Sequence, residues 1–275
     1  MPRPRITYLY RPGRTLPLAR RDRLVAELRE VAETCFDELP RYQVIAGDPE
    51  ALDHAVLTVA RDADGRVLGF CAARLLPVEG VGEVFHLGLT CVHPDARGTG
   101  LTHQLLSQVI GRYLLLHRPL RGAWFSNAAS VLSSLGNVAL HFEDVHPSPF
   151  RQVPPSSTHL RIARAIAAHH RARLHLRPDT PFCDRRFVFT RGNLGTPFAK
   201  ARDEAAYHHR DPALTRWYGE LADLDAGDAV VQVGRVSLGG FGRHVARRLG
   251  LSLPGVRHLF PARPVLPVHR ALGGA

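Results

Sequence analysis

The sequence predicts an α/β fold with a helix-rich, basic C-terminal extension, and three observations carry that prediction. Residues 55–60 and 67–76 are β-branched and apolar and flank the turn Asp62-Ala-Asp-Gly65, the pattern of a hairpin. Leu101, Leu105, Val109, Tyr113 and Leu116 recur at three- and four-residue steps, the pattern of a helix with one buried face. The chain then changes character at Pro147, Pro149, Pro154 and Pro155. Residues 1–150 hold 16 Arg against 16 Asp plus Glu, whereas residues 151–275 hold 20 Arg plus Lys against 9 acids, so the whole excess of +11 lies in the second part. Two segments are therefore distinguished, a core over 1–150 and a basic extension over 151–275.

Taken in order, residues 6–11 alternate as a short strand, and residues 20–39 carry Leu24, Leu28, Val31, Cys35 and Leu39 at helical spacing. The hairpin follows, then a strand over 83–92 that ends in His93-Pro94-Asp95, where proline stops sheet pairing. A helix begins near Thr99. Residues 124–126 read as a strand and 128–140 as a second helix. Past the prolines, Ser156, Ser157 and Thr158 can cap a helix running to about 175, with Leu160, Ala163, Ile166 and Ala167 inward. Residues 186–190 and 229–236 are the best later strands. The segment between them, 201–224, is mostly helical in pattern but is interrupted by Asp211-Pro212. Gly239-Gly240-Phe241-Gly242 precedes a short Arg-rich helix reaching about 250, and the last dozen residues read as irregular.

At 45% hydrophobic residues the chain can bury a core. No apolar run approaches the roughly 20 residues that span a bilayer, and the basic start lacks the apolar centre of a secretory signal, so a cytoplasmic protein with no membrane span is expected. Four cysteines, Cys35, Cys71, Cys91 and Cys183, lie far apart without paired spacing, which suggests neither a disulfide framework nor a thiolate metal site. Sixteen histidines include the doublets His169-His170 and His208-His209, but no HxxxH or HExxH spacing, so no metal is expected. All basic residues but Lys200 are arginine, as a GC-rich coding sequence would produce, or as a polyanionic partner would favour.

The informative stretch runs from Leu89 to Thr102. A strand delivers the chain to the turn Arg97-Gly98-Thr99-Gly100, whose glycines let backbone N–H groups converge without obstruction by Cβ atoms. The helix that starts there adds its unpaired donors and the positive end of its dipole, which together make a cradle for a pyrophosphate. The stretch resembles motif A of the GNAT (GCN5-related N-acetyltransferase) superfamily: Val92-His93-Pro94 and Arg97-x-x-Gly100 match, while Thr102 stands where the family has Gly or Ala. The element order over residues 6–140, about half the chain, is also similar to the first two thirds of that fold.

The resemblance implies a central mixed, mostly antiparallel sheet with splayed fourth and fifth strands, flanked by helices. It also implies acetyl-CoA or another acyl-CoA as co-substrate. The pantetheine arm is expected on the backbone of Thr90, Cys91 and Val92, and the pyrophosphate on Arg97, Gly98, Thr99, Gly100, Leu101 and Thr102. Asn127 matches a position where many members contact the cofactor. Two further family strands should follow the second helix, and 186–190 and 229–236 are where the extension could complete the sheet.

Acylation of an amine by a thioester needs a neutral amine, an oriented attack and a proton returned to the leaving thiolate. On the strand over 83–92 the candidates are His86, which titrates near neutrality, and Glu83, which would need burial to act as a base. His86 lies six residues before Val92, as does the relay histidine of arylalkylamine N-acetyltransferases, and Glu83 resembles the glutamate of the histone acetyltransferases. The second helix offers Ser133, Ser134, Leu135 and, further on, His141 where most relatives carry a general-acid tyrosine.

The leading expectation is an N-acyltransferase that moves an acetyl or longer acyl group to a small-molecule or peptide amine by direct attack in a ternary complex. Alternatives are a donor carried on an acidic carrier protein, docked by the +11 half, and a nucleic-acid-associated enzyme gripping RNA or DNA through 156–175 and 241–250. A catalytically inert scaffold of the same fold is the third alternative. Aromatic residues do not interleave with the arginines, which counts against the nucleic-acid reading.

Overall fold

The computed structural model describes residues 3–151, 153–248, 265–268 and 272. In chain order the elements are β1 (Arg5–Tyr10), α1 (Pro12–Thr15), α2 (Leu18–Glu33), α3 (Pro49–Asp53), β2 (Ala55–Arg61), β3 (Val67–Val78), β4 (Gly82–Val92) and α4 (Leu101–His117). They continue as β5 (Ala123–Ala129), α5 (Leu132–His141), β6 (Glu143–His146), α6 (Ser157–Ala165), β7 (Phe182–Cys183), β8 (Val188–Phe189), α7 (Pro212–Leu221), β9 (Ala229–Val236) and α8 (Leu238–Arg248).

One sheet runs through the molecule in the order β1-β2-β3-β4-β5-β9-β8-β7, with β6 also pairing β9. Every pairing is antiparallel except β4 with β5. The sheet is therefore mixed and mostly antiparallel, and helices flank it on both faces. Alternation along the strands sorts the core. Val56 and Phe85 pack under α4 with Leu101, Leu105, Val109 and Tyr113. On the opposite face, Leu57 and Val59 pack under α2 with Leu24, Leu28 and Val31. Val84, Val231 and Val233 pack under α6 with Ile162 and Ile166. A fourth cluster joins Leu132 and Leu135 of α5 to Trp217, Tyr218 and Leu221 of α7.

Several elements differ from their sequence-based bounds for identifiable reasons. The strand expected over 124–126 is β5, seven residues long, because β9 pairs it from Ala123↔Val236 to Ala129↔Val230. The helix expected over 20–39 stops at Glu33, where the Thr34 hydroxyl donates to Val31 O at 2.7 Å, and Cys35, Phe36 and Leu39 pack from the turn beyond it. Only Pro212–Leu221 of the segment 201–224 is α-helical: Asp211 is its N-cap, its side chain accepting from the Ala213 N–H at 2.9 Å, and Pro212 starts the helix. The dipeptide that interrupts the pattern is thus a helix start. Past Ala165, α6 loosens into a π-turn over Ile166–His170. The Arg-rich helix expected to 250 is described as far as Arg248, and most of the last dozen residues lie outside the described residues.

Among the described residues no helix is long and apolar enough to cross a membrane, and no cluster of His, Cys, Asp and Glu could hold a metal ion.

Three histidines are fully buried, and burial lowers their affinity for protons: His86 and His146 are pushed down to about 3 and His159 to about 4. Because these folded values lie below the ordinary 6.5, the unfolded chain binds more protons between them. Stability is complete above about pH 6.5 and falls as the pH drops, each histidine contributing at most ~1.4 kcal/mol per pH unit. Urea midpoints measured between pH 7.5 and 5, above the range where most carboxylates titrate, are expected to decrease steadily. Equal midpoints across that range would exclude buried neutral imidazoles.

Candidate active site

β4 and β5 share only two rungs, Phe85↔Phe125 and His86↔Ser126. Beyond His86 the strands part. From Leu87 to Val92, β4 keeps its pairing with β3 on one side, and β5 is paired with β9 on its far side. The edge of β4 that faces the gap is left without a strand, so its peptide groups, other than Val92 O, which accepts from Arg97 Nε, are available to an extended ligand. The pairing with β3 slips between Cys71 and Ala73, opposite Gly88 and Leu89, which bends β4 at the mouth of the gap.

Gly88 makes room there for the Gln43 side chain. A Cβ on it would lie 2.5 Å from Gln43 Cδ, because the Gln43 side chain presses against this bulge. Gln43 is itself buried and holds φ 45°, a left-handed conformation costly for a residue with a side chain. Its Nε2–H donates to Tyr42 Oη at 2.9 Å, and its Oε1 is buried without a partner. Gly88→Ala is expected to displace Gln43 and lower turnover at least ~10-fold with acetyl-CoA affinity within a factor of ~3. Steady-state kinetics beside calorimetry would check this, and wild-type turnover would remove Gln43 from the site.

At the other end of the gap, Val92 leads into a short turn over Pro94–Ala96 and then the glycine loop. Gly98 and Gly100 both hold φ 76° and face open space, so the glycines serve backbone conformation here. Gly100 is the N-cap of α4, and no side chain caps that end. The first turn of a helix leaves its leading N–H groups without intrahelical acceptors, so Leu101 and Thr102 present donors where Arg97, Gly98, Thr99 and Gly100 are exposed. The Arg97 guanidinium points elsewhere: Nη2 donates to Thr34 O at 3.0 Å and Nε to Val92 O at 3.3 Å, bolting the end of α2 to the end of β4. Thr99 Oγ1 donates to Ala96 O at 2.7 Å and stiffens the loop. Cys91 is buried on the α2 side. Its hydrogen bond to Cys35 is the main reason the Cys35 thiol is pushed down to about 5, with Thr34, Val92 and Arg97 adding to the effect.

The two carboxyl and imidazole candidates do not meet. His86 sits at the apex of the gap on the face away from α4, fully buried, with Nδ1 2.9 Å from Ser126 Oγ and Nε2 without a partner. Its depressed pKa comes first from burial, then from His170 and Arg74. Glu83, three residues earlier, projects to the opposite face, where it ion-pairs with Arg11 and lies 3.7 Å from Arg118. Asn127 is buried on β5 past the parting, and its Nδ2–H donates to Gln232 Oε1 at 3.1 Å. Gln232 in turn donates to Leu135 O and to Tyr218 Oη. Ser133, Ser134 and His141 lie on α5, the helix whose Leu135 O accepts from Gln232.

Gln43, Arg74, Gln232 and Tyr218 are not marked by any sequence motif. The one available signal was Tyr218's place on the apolar face of a helix, which reads equally well as core.

The sequence profile of the Acetyltransferase (GNAT) family matches residues 22–120, the stretch that includes β4, the glycine loop and α4. Residues 22–120 are a GNAT acetyltransferase domain. No curated protein matches the chain. Among solved structures, a GNAT-family N-acetyltransferase from Escherichia coli in complex with CoA is 20% identical over 50% of this chain and 65% of its own, with a TM-score of 0.33. An acyl-CoA N-acyltransferase from Pseudomonas aeruginosa is 20% identical over 51% and 87%, with a TM-score of 0.38. Tetrahymena GCN5 is 12% identical over 55% and 82%, with a TM-score of 0.37. The match ends at residue 120, so β5, β9 and Asn127 lie beyond it.

Proposed function

We propose that the protein transfers an acetyl or longer acyl group from acyl-CoA to a primary amine by direct attack in a ternary complex. The observation that carries this reading is the continuity of two donor surfaces, the unpaired edge of β4 and the uncapped start of α4, along one gap. The residues fit such a ligand: the edge offers alternating N–H and C=O groups to an amide-containing arm, and the loop offers N–H groups and open space to a pyrophosphate. Thr90, Cys91 and Val92 would hold the arm, and Arg97, Gly98, Thr99, Gly100, Leu101 and Thr102 the pyrophosphate, Arg97 through its amide alone. When bound, acyl-CoA supplies an activated thioester at the apex of the gap.

There the chain's own groups do the positioning. His86 and Ser126 form a buried hydrogen-bonded pair at the apex, so His86 Nε2 can take the proton that the acceptor amine loses on acylation and return it to the departing thiolate, while Ser126 holds the ring in place. Since His86 is held well below neutrality, it relays a proton without storing one, and the pH dependence of turnover should follow deprotonation of the acceptor amine. Glu83 is assigned no chemistry, its carboxylate being committed to arginines. The two halves are read as one working unit, because β9 of the extension backs β5.

Calorimetry with acetyl-CoA and longer acyl-CoAs, followed by thiol release over amines, amino acids and peptides, tests the reading. Binding at micromolar concentration with acceptor-dependent thiol release is expected. Absence of binding by any acyl-CoA would overturn it.

A further inference from the structure

We propose that the acceptor is an amino acid, its amine held by Gln43 and His86 and its carboxylate by Arg74 and Arg173, an assignment that rests on the acyl-transfer reading above. Arg74 and His86 are direct partners in the β3–β4 register, so their side chains leave the sheet side by side on the face away from α4. That face is apolar under α2 and apolar under α6. The strip between the two clusters is polar.

The first argument is charge. The Arg74 side chain is only 7% exposed, and its ion pair among the described residues is with Glu50 at 3.3 Å. That same carboxylate oxygen serves Arg173 at 2.8 Å, and the Glu50 side chain is 49% exposed. Two guanidinium groups thus share one half-solvated carboxylate. A buried cation so weakly compensated is unfavourable by itself and is relieved by a second anion. Burial also lowers the Arg74 pKa from its ordinary value, the direction expected of an undercompensated cation. Arg173 and Glu50, both well exposed, put the rim of this strip in contact with solvent and give an anion a way in.

The second argument is the unsatisfied acceptors. Gln43 Oε1 and, with its ring proton donated to Ser126, His86 Nε2 are two buried lone-pair sites without partners. Native interiors leave few such atoms, and each costs about 1–3 kcal/mol. Gln43 reaches β4 at Gly88, two residues from His86, so both sites border the point where β4 leaves β5. An amine with its N–H groups directed at both would have its lone pair free for the thioester carbonyl. The other titratable groups beside Arg74 and His86 already have partners: His170 is bonded to Pro77 O at 3.0 Å, Tyr42 Oη accepts from Gln43, and Asp48 accepts from the Glu50 N–H at the start of α3.

An amine end at the apex and an anion end at the arginines describe one small zwitterion. The test uses the full chain with acetyl-CoA and compares kcat/KM for the standard amino acids with that for their decarboxylated amines. Each best amino acid is expected to exceed its matched amine by at least ~30-fold, and Arg74→Gln to reduce that ratio by ~30-fold. Acetyl-CoA affinity serves as the check on folding, and Arg173→Gln, at the exposed rim, should lower the same ratio by ~5-fold should Arg74→Gln fail to fold. Equal or better turnover of the decarboxylated amines overturns the carboxylate assignment and leaves acyl transfer standing. Acetyl-CoA binding without thiol release from any amino acid overturns the assignment as well. Failure of the wild-type chain to bind any acyl-CoA overturns both.

Discussion

Gly100→Asp is expected to weaken acetyl-CoA binding by about 100-fold, whereas Gly100→Asn is expected to weaken it by less than ~5-fold. Both side chains tolerate the φ of 76° at this N-cap better than other residues, so backbone strain is similar in the two variants. What differs is a unit negative charge at the start of α4, among amides proposed to receive a pyrophosphate. At about 5 Å and an effective dielectric near 20 such a charge costs about 3 kcal/mol, which corresponds to the 100-fold loss. Isothermal calorimetry at moderate salt reads the difference directly. Equal affinities for the two variants would show that the loop does not face the phosphates.

His86→Ala is expected to lower kcat by about 100-fold with little change in acetyl-CoA affinity, since removal of a proton-relay group costs on this scale. The buried pair with Ser126 adds a second signature. In the wild type, kcat/KM should rise with pH through the pKa of the acceptor amine and show no break near 6.5, because burial keeps the imidazole neutral across that range. Undiminished turnover in the variant would remove His86 from the mechanism, and a wild-type break near 6.5 would mean that the site opens to water before proton transfer.

The legible part of this molecule is local. The glycine loop was readable because two positive-φ positions, a stop at Pro94 and a helix start fall within ten residues, and each leaves a residue-level mark. The buried stripe of α4 was readable through Leu101, Leu105, Val109 and Tyr113, since helical periodicity is written into consecutive residues, but Leu116, assigned to it by spacing, is exposed, and Leu114 is buried in the last turn instead. Asp211-Pro212 shows the limit of such reading: the same two residues interrupt a helical pattern or begin a helix, and only the Asp211 cap decided which. His86 and Glu83 show a second limit. Three residues apart on a strand, they looked like alternative bases, yet alternation sends them to opposite faces and Arg11 claims one of them.

The sequence by itself determined the β2–β3 hairpin, β4, the glycine loop and the start of α4, because backbone conformations and periodic burial depend on neighbours along the chain, whereas α1, α3, β6 and the ends of α2, β5 and α5 were set by packing. Tertiary structure alone decided that β9 backs β5, that Gln43 presses on Gly88, and that Arg74 lies beside His86 with Glu50 and Arg173 at the rim. Those contacts join residues from twelve to more than a hundred positions apart, and their chemistry arises from burial and unsatisfied valence that exist only once the two faces of the sheet have been covered.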